Sequence, residues 1–470
     1  METAAAAALP DDVLAAILGR LPARSLATSR CVCTAWRDIV DGRRLLLPDL
    51  LPHAVRGLFV NYIDHFRPHF FARPTSPSWP CSPNIDGEFA IIERGNPHPW
   101  FSVLDHCNGL VLLSGDHFGD SAMHVCNPTT RRWARLPPRS DHRHWARRAV
   151  LVFDPAASPH WEVLLQPIEP DKERERQRRP DEDELPDGRL FSEDDGVGWR
   201  LMEWPPQPWI WHVLSSRTMR WEERVFAREG EAAGTVTDLL LQEVPEFYEP
   251  RWRYGAYCQG AVYLHCRGEY VSRLSLSDDK YQVIKSPIDI AECKGGVRSF
   301  VGRSEYGVYF AALDDMANLR VWILNESPER TDWVLKHRSV LKPYSWHMSG
   351  GTYKQRVYDG PWIIDAEGER DDDNESEDEN ASIQENEEWN SDDDNIIDGI
   401  TDEAYDNMSA YVHFLSFHPY KEVIFLSYGK EGVACHLNST KVQYLGIFDP
   451  LTYNRGLKES FVYTPCMIGD

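Results

Sequence analysis

The chain has 470 residues, 50 of them Lys or Arg and 74 Asp or Glu, for a formal net charge of −24, which disfavours nonspecific binding to nucleic acid or to an anionic membrane surface. The length leaves room for a small module plus one large domain or two ordinary ones. A hydrophobic fraction of 42% with 17 Trp provides for a sizeable core, while a mean hydropathy of −0.48 requires polar segments to be mixed in.

No apolar run reaches the roughly 18 residues of a membrane span. The opening METAAAAALPDD has an Ala run but no basic region before it, and acids follow at once, so it does not read as a secretory signal. An intracellular protein is expected, in cytoplasm or nucleus. The 10 Cys are scattered from Cys31 to Cys466, and reduced thiols are the default.

Residues 9–40, LPDDVLAAILGRLPARSLATSRCVCTAWRDIV, predict three short helices. Pro10 suits a first helical turn, and Asp11 and Asp12 suit its positive end. Leu14, Ile17, Leu18 and Leu21 recur at helical spacing until Pro22 ends the run. Leu26 marks a second turn, and Val32, Trp36, Ile39 and Val40 form a further stripe. Such a unit falls below the roughly 40 residues that suffice for independent folding. Each buried Leu or Ile is worth roughly 1.5–3 kcal/mol, so apolar surface left over after the helices pack would drive docking on another protein.

The series Leu9-Pro10, Leu14, Ile17-Leu18, Leu21-Pro22, Leu26, Val32-Cys33 and Trp36 resembles the F-box motif position by position. The resemblance implies that these residues bind the Skp-type adaptor of a cullin ubiquitin ligase and that the rest of the chain captures the substrate.

Residues 48–95 read as a connector between a helical module over 1–47 and a β-domain over 96–470. Its stretch HFRPHFFARPTSPSWPCSPN is punctuated by prolines and is expected to be irregular. From Cys107 onward short apolar runs alternate with turn residues, which predicts an all-β domain. One recurring element is a Gly followed by apolar residues: Asn108-Gly109-Leu110-Val111-Leu112, Gln259-Gly260-Ala261-Val262-Tyr263 and Tyr306-Gly307-Val308-Tyr309-Phe310. The other is an apolar strand, a polar turn and an aromatic opening the return strand. Its instances run from Val125 through Asn127-Pro128-Thr129-Thr130 to Trp133, from Val213 to Trp221, from Leu274 to Tyr281, from Trp322 to Trp333 and from His436 to Tyr444. Repeated hairpins in sheets that cannot close their own edges point to a β-propeller of about six blades, the length allowing six or seven.

The surroundings of Cys107-Asn108-Gly109-Leu110, of Cys126-Asn127-Pro128-Thr129-Thr130-Arg131-Arg132-Trp133 and of His418-Pro419-Tyr420-Lys421-Glu422-Val423 also resemble the F-box-associated β-domains of plants. The strict kelch pattern is absent. In WRLMEWPPQPWIW, residues 199–211, the alternate aromatics read as strand core rather than as a site.

Two charged insertions interrupt the β texture. Residues 168–198 hold a small basic cluster in an acidic frame and read as a solvated loop. Residues 365–406 contain about twenty carboxylates and have the composition of a disordered segment. Ser376, Ser382 and Ser391 lie among those acids, the setting that acid-directed kinases favour.

Enzyme signatures are missing: there is no H-E-x-x-H, no paired C-x-x-C, no G-x-S-x-G and no phosphate-binding Gly-rich loop. His142-Arg143-His144 lacks a Cys or carboxylate cluster to complete a metal site, and the acidic run lacks the ligand order of a calcium loop. No catalytic residue, metal or cofactor is expected. The expectation is an α+β multidomain chain, a three-helix module followed by a large all-β domain. The resemblance implies a substrate-recognition subunit of a Skp, cullin and F-box ubiquitin ligase, acting by holding its target near a ubiquitin-charged enzyme. The alternative is an F-box docking scaffold that works without ubiquitin transfer.

Overall fold

The computed structural model describes residues 10–46, 51–73, 101–115, 122–138, 148–169, 198–240, 254–292, 297–341, 361–364, 412–447 and 456–467, apart from a few positions within these ranges, and isolated residues between 85 and 92. Leu9, Pro22, His142 to His144, nearly all of 168–198 and the whole of 365–406 lie outside the described residues.

Three helices come first: α1 (Asp11–Leu18), α2 (Ala23–Ser29) and α3 (Thr34–Gly42). The Pro10 carbonyl accepts from the Val13 and Leu14 amides, each at 3.0 Å, and so begins α1. Ala15, Leu18, Leu26, Ile39 and Val40 form the core of this module, with Leu14, Leu21, Trp36, Leu45 and Leu46 half-buried around it.

The remainder is a large all-β domain. Four-stranded antiparallel sheets are formed by β3 (Phe101–Cys107), β4 (Leu110–Gly115), β5 (Met123–Asn127) and β6 (Arg132–Arg135); by β17 (Arg298–Ser304), β18 (Gly307–Leu313), β19 (Asn318–Glu326) and β20 (Thr331–Val340); and by β22 (Val412–Phe417), β23 (Val423–Tyr428), β24 (Glu431–His436) and β25 (Val442–Ile447). An eight-stranded sheet consists of two such units, β7 (Ala149–Phe153), β8 (Trp161–Leu165), β10 (Trp209–Ser215) and β11 (Arg220–Glu229), then β13 (Gly255–Cys258), β14 (Ala261–Cys266), β15 (Tyr270–Ser275) and β16 (Lys280–Lys285). They are joined by a short parallel pairing of Ala227–Glu229 with Lys280–Gln282, and β7 and β13 touch at the far end, so this sheet nearly closes on itself. A two-stranded ribbon, β9 (Glu203–Trp204) with β12 (Gly234–Thr235), flanks it.

The last sheet has the order β21 (Ile363–Ile364), β2 (His69–Ala72), β1 (Gly57–Tyr62), β26 (Leu457–Tyr463). Here the expectation that HFRPHFFARPTSPSWPCSPN is irregular is corrected for its start, because β2 lies in it. Pro68 precedes β2 instead of interrupting it, and a proline just before a strand removes no ladder bond. The final strand β26 pairs with β1 so that Phe59 faces Phe461 and Leu58 faces Val462. The strands β3, β7, β13, β17, β22 and β26 touch one another in turn, and the circuit closes where β26 meets β3.

Each hairpin read from the sequence is present, as β5/β6, β10/β11, β15/β16, β19/β20 and β24/β25. The three Gly-led runs become β4, β14 and β18, each second in its unit. In the Asn127 turn the Thr129 and Thr130 amides donate to Asn127 Oδ1 at 3.1 and 3.2 Å, while Nδ2 donates to the Cys466 carbonyl at 2.9 Å. One Asn thus shapes a turn and ties it to the C-terminal segment. The aromatics of the hairpins tie neighbouring units together: Trp221 Nε1 donates to the Pro137 carbonyl and Trp333 Nε1 to the Lys285 carbonyl, both at 2.9 Å. Tyr281 donates to the Pro206 carbonyl at 2.9 Å. In the 199–211 stretch Trp204, Trp209 and Trp211 are buried and Ile210 is exposed, the alternation of a strand with one face in the core.

Candidate functional site

Two surfaces are candidates, the outside of the helical module and the channel-like space inside the inner strands of the β-domain. Packing divides the sequence-predicted adaptor residues. Leu18 and Leu26 are in the module's own core; Leu14, Leu21 and Trp36 are half-buried; Pro10, Ile17, Val32 and Cys33 face solvent. Ile17 is 47% exposed and Val32 62%. Val13, one turn before Ile17 on α1, is 44% exposed and was not singled out from the sequence, although its i, i+4 spacing to Ile17 was the available signal. Exposed apolar side chains on so small a module are the surface to which a protein partner would bind.

The helical module is fastened to the β-domain. The Arg44 guanidinium donates to the Ala156 carbonyl in the β7/β8 turn. Leu51 packs into the cluster that includes Cys107, Leu151 and Cys466. The His53 ring stacks on Tyr420, with centroids 4.1 Å apart and planes 14° from parallel.

The channel is lined from every strand of the inner circuit, by Asp105, Arg148, Ala256, Arg303, Ser416 and Val462 among others, and holds a cavity of about 90 Å³. Asp105 Oδ2 accepts from the Leu151 amide at 2.7 Å, bridging β3 to β7, and Oδ1 accepts from the His106 amide at 2.8 Å. Burial outweighs those two bonds and pushes the Asp105 carboxyl up to about 7. Burial also pulls the neighbouring His106 imidazole down to about 4. Where the channel opens, a second cavity of about 390 Å³ lies among the turns after β3, β7, β13, β17 and β22. Nothing in the sequence marked Arg303, Tyr257 or Tyr420 as lining one space, because strands far apart in the chain bring them together.

Among the described residues no three His, Cys, Asp or Glu side chains gather as a metal site would require. Among them, too, no helix is long and apolar enough to cross a membrane.

Residues 7–47 match the F-box domain family. An F-box protein of Arabidopsis thaliana is 28% identical over 138 residues, which cover 29% of this chain and 32% of that protein. An F-box/kelch-repeat protein of the same plant is 32% identical over 142 residues, 29% of this chain and 31% of that protein. The chain spans about a third to a half of the length of the curated relatives it matches. Among solved structures, YCF48 bound to D1 peptide aligns over 84% of this chain and 82% of that one, with 7% identity and a TM-score of 0.31. Residues 7–47, which match the F-box domain family, are thus followed by a large all-β domain.

Proposed function

We propose that this protein is the substrate-recognition subunit of a Skp, cullin and F-box ubiquitin ligase, with its β-domain a six-bladed propeller. The observation that carries the reading is the match of residues 7–47 to the F-box domain family together with the apolar side chains that this module leaves exposed. The β-domain closes its own inner circuit where β26 meets β3, and the F-box module leaves Val13, Ile17 and Val32 exposed. Those side chains, with Leu9, Pro10, Leu14, Leu21, Pro22, Cys33 and Trp36, form the adaptor face, and Leu18 and Leu26 hold the helices in place beneath it. A cullin is reached through the adaptor. The β-domain presents an intracellular target, and the chain supplies proximity rather than a reacting group.

The blade reading rests on six antiparallel four-stranded units, two of them fused through β11 and β16, and on the pairing of the last strand with the first. Co-purification of the full-length chain with a Skp-type adaptor tests the function. Wild type is expected to recover adaptor and cullin, and the double variant Ile17→Asp with Val32→Asp to recover neither. Wild type failing to bind the adaptor, or the double variant binding it normally, overturns the reading. Adaptor recovered without cullin favours the scaffold alternative.

A further inference from the structure

The cavity of about 390 Å³ at the channel mouth is built from the turns of the Gly-led repeat: Asn108, Gln259 and Tyr306, each immediately before its Gly, all line it. Arg303 lines both this cavity and the narrower channel beneath. Its guanidinium lies 5.5 Å over the Tyr420 ring, itself stacked on His53, so aromatic packing holds the charge in place. Among the described residues the Arg303 side chain makes no hydrogen bond or ion pair. Its donors are open to the cavity, and a carboxylate, which can take two of them side by side, is the natural counterpart.

A second donor is close by. Tyr257 lines the same cavity; burial, with a smaller contribution from Asp154, pushes its pKa up to about 12, so it keeps its proton at neutral pH. The rim has the opposite character. Asp154 and Glu305 line it, and Asp154 already accepts from the Ala156 amide at 3.1 Å. Two carboxylates beside a single cation disfavour a dianion such as a phosphate group and favour a positive charge next to the ligand's carboxylate.

We propose that the channel mouth binds a target peptide through one carboxylate on Arg303 and Tyr257, with an adjacent Lys or Arg of the peptide on Asp154 and Glu305. The proposal rests on the reading of the β-domain as the target-binding part. The carboxylate belongs either to an acidic side chain or to a peptide C-terminus, and the two sources are separable.

The test probes a peptide array with the full-length chain already in complex with a Skp-type adaptor. The array carries C-terminally amidated peptides with Asp or Glu in varied contexts, non-acidic peptides with free C-termini, and phosphoserine peptides. Wild type is expected to retain carboxylate peptides that have a neighbouring Lys or Arg, and the amidated and free sets identify the source. Arg303→Met is expected to lower retention at least tenfold, and Arg303→Lys, which keeps the charge without the fork, to lower it less. Asp154→Asn with Glu305→Gln is expected to keep the carboxylate requirement and lose the preference for a basic neighbour. An Arg303→Met chain that melts like wild type and retains the same peptides overturns the site, as does stronger retention of phosphoserine peptides. Because the complex is assembled first, loss of adaptor binding counts against the proposed function, and an array insensitive to Arg303 counts against the site alone.

Discussion

The Asn61 side chain in β1 makes a two-way exchange with the backbone of Val103 in β3: Nδ2 donates to the Val103 carbonyl at 2.8 Å, and Oδ1 accepts from the Val103 amide at 3.1 Å. Asn61 is 3% exposed and Val103 fully buried. One side chain does the work of a strand pair across the boundary between two sheets, beside the β3 bulge at Val103 to Asp105 that breaks the regular ladder. Asn61→Leu, similar in volume, is expected to leave an amide and a carbonyl without partners and to cost about 2–4 kcal/mol, since each orphaned buried group costs about 1–3 kcal/mol. Denaturant unfolding of full-length protein measures it, and a change below about 0.5 kcal/mol would contradict the role assigned.

Trp221 and Trp333 each reach the backbone of the preceding unit. Replacing either indole by Phe keeps most of the apolar contact and removes the bond to Pro137 or Lys285. Each change is expected to cost about 1 kcal/mol, the net worth of a typical hydrogen bond, and the pair to cost about the sum because different unit boundaries are involved. Thermal melts of the two single variants and the double variant check both the size and the additivity.

Asp105 and His106 oppose one another in pH. With its pKa raised to about 7 in the folded state from an ordinary 3.8, Asp105 contributes stability that is complete below about pH 4 and is lost as pH rises to about 7. With its pKa lowered to about 4 from 6.5, His106 contributes stability that is complete above about pH 6.5 and is lost as pH falls to about 4. The two windows overlap. Relative to wild type, Asp105→Asn is expected to make the slope of stability against pH more positive between pH 4 and 7, and His106→Gln to make it more negative. Melting temperatures measured across that range decide it; slopes of the same sign for both variants would refute the assignment.

In the helical module, exposed and buried apolar residues are expected to respond differently to substitution. Ile17→Asp and Val32→Asp are expected to abolish adaptor recovery while shifting stability by no more than about 0.5 kcal/mol, as surface substitutions do. Leu18→Ala and Leu26→Ala open the core of the module and are expected to cost about 2–5 kcal/mol. Helical unfolding followed by circular dichroism, set beside the pull-down, distinguishes the two classes.

Gly109 has φ +88°, and a Cβ built there would come within 2.3 Å of Cys466 Cβ and 2.6 Å of the Cys466 amide nitrogen. Gly109→Ala is expected to destabilise by about 2 kcal/mol or more, from strain and overpacking together. Loosening of the C-terminal segment is its expected signature, read as faster amide exchange over residues 457–467.

Features that depend on neighbours in the chain were legible in advance. Leu14, Ile17 and Leu18 specify a helix because their spacing places them on one side of it, whatever they later touch. The hairpins at Asn127, Ser215, Ser277, Asn325 and Asn438 were readable because turn chemistry is local, as the Asn127 bonds to Thr129 and Thr130 illustrate. The strand β2 was not, since the prolines of its stretch looked like breaks until the pairing of Phe71 with Leu58 gave it a sheet to join.

The sequence by itself determined that an F-box-like helical module precedes a domain of repeated hairpins, because periodicity and turn residues act over a few positions. Tertiary structure decided which apolar residues remain outside. Ile17 and Leu18 are adjacent in the chain, yet one is 47% exposed and the other 1%, a difference set by where α3 lies against α1. It decided equally that Arg303, Tyr257 and Tyr420 share one cavity, since closing a ring of strands is a long-range event whose contacts are written in no short stretch of sequence.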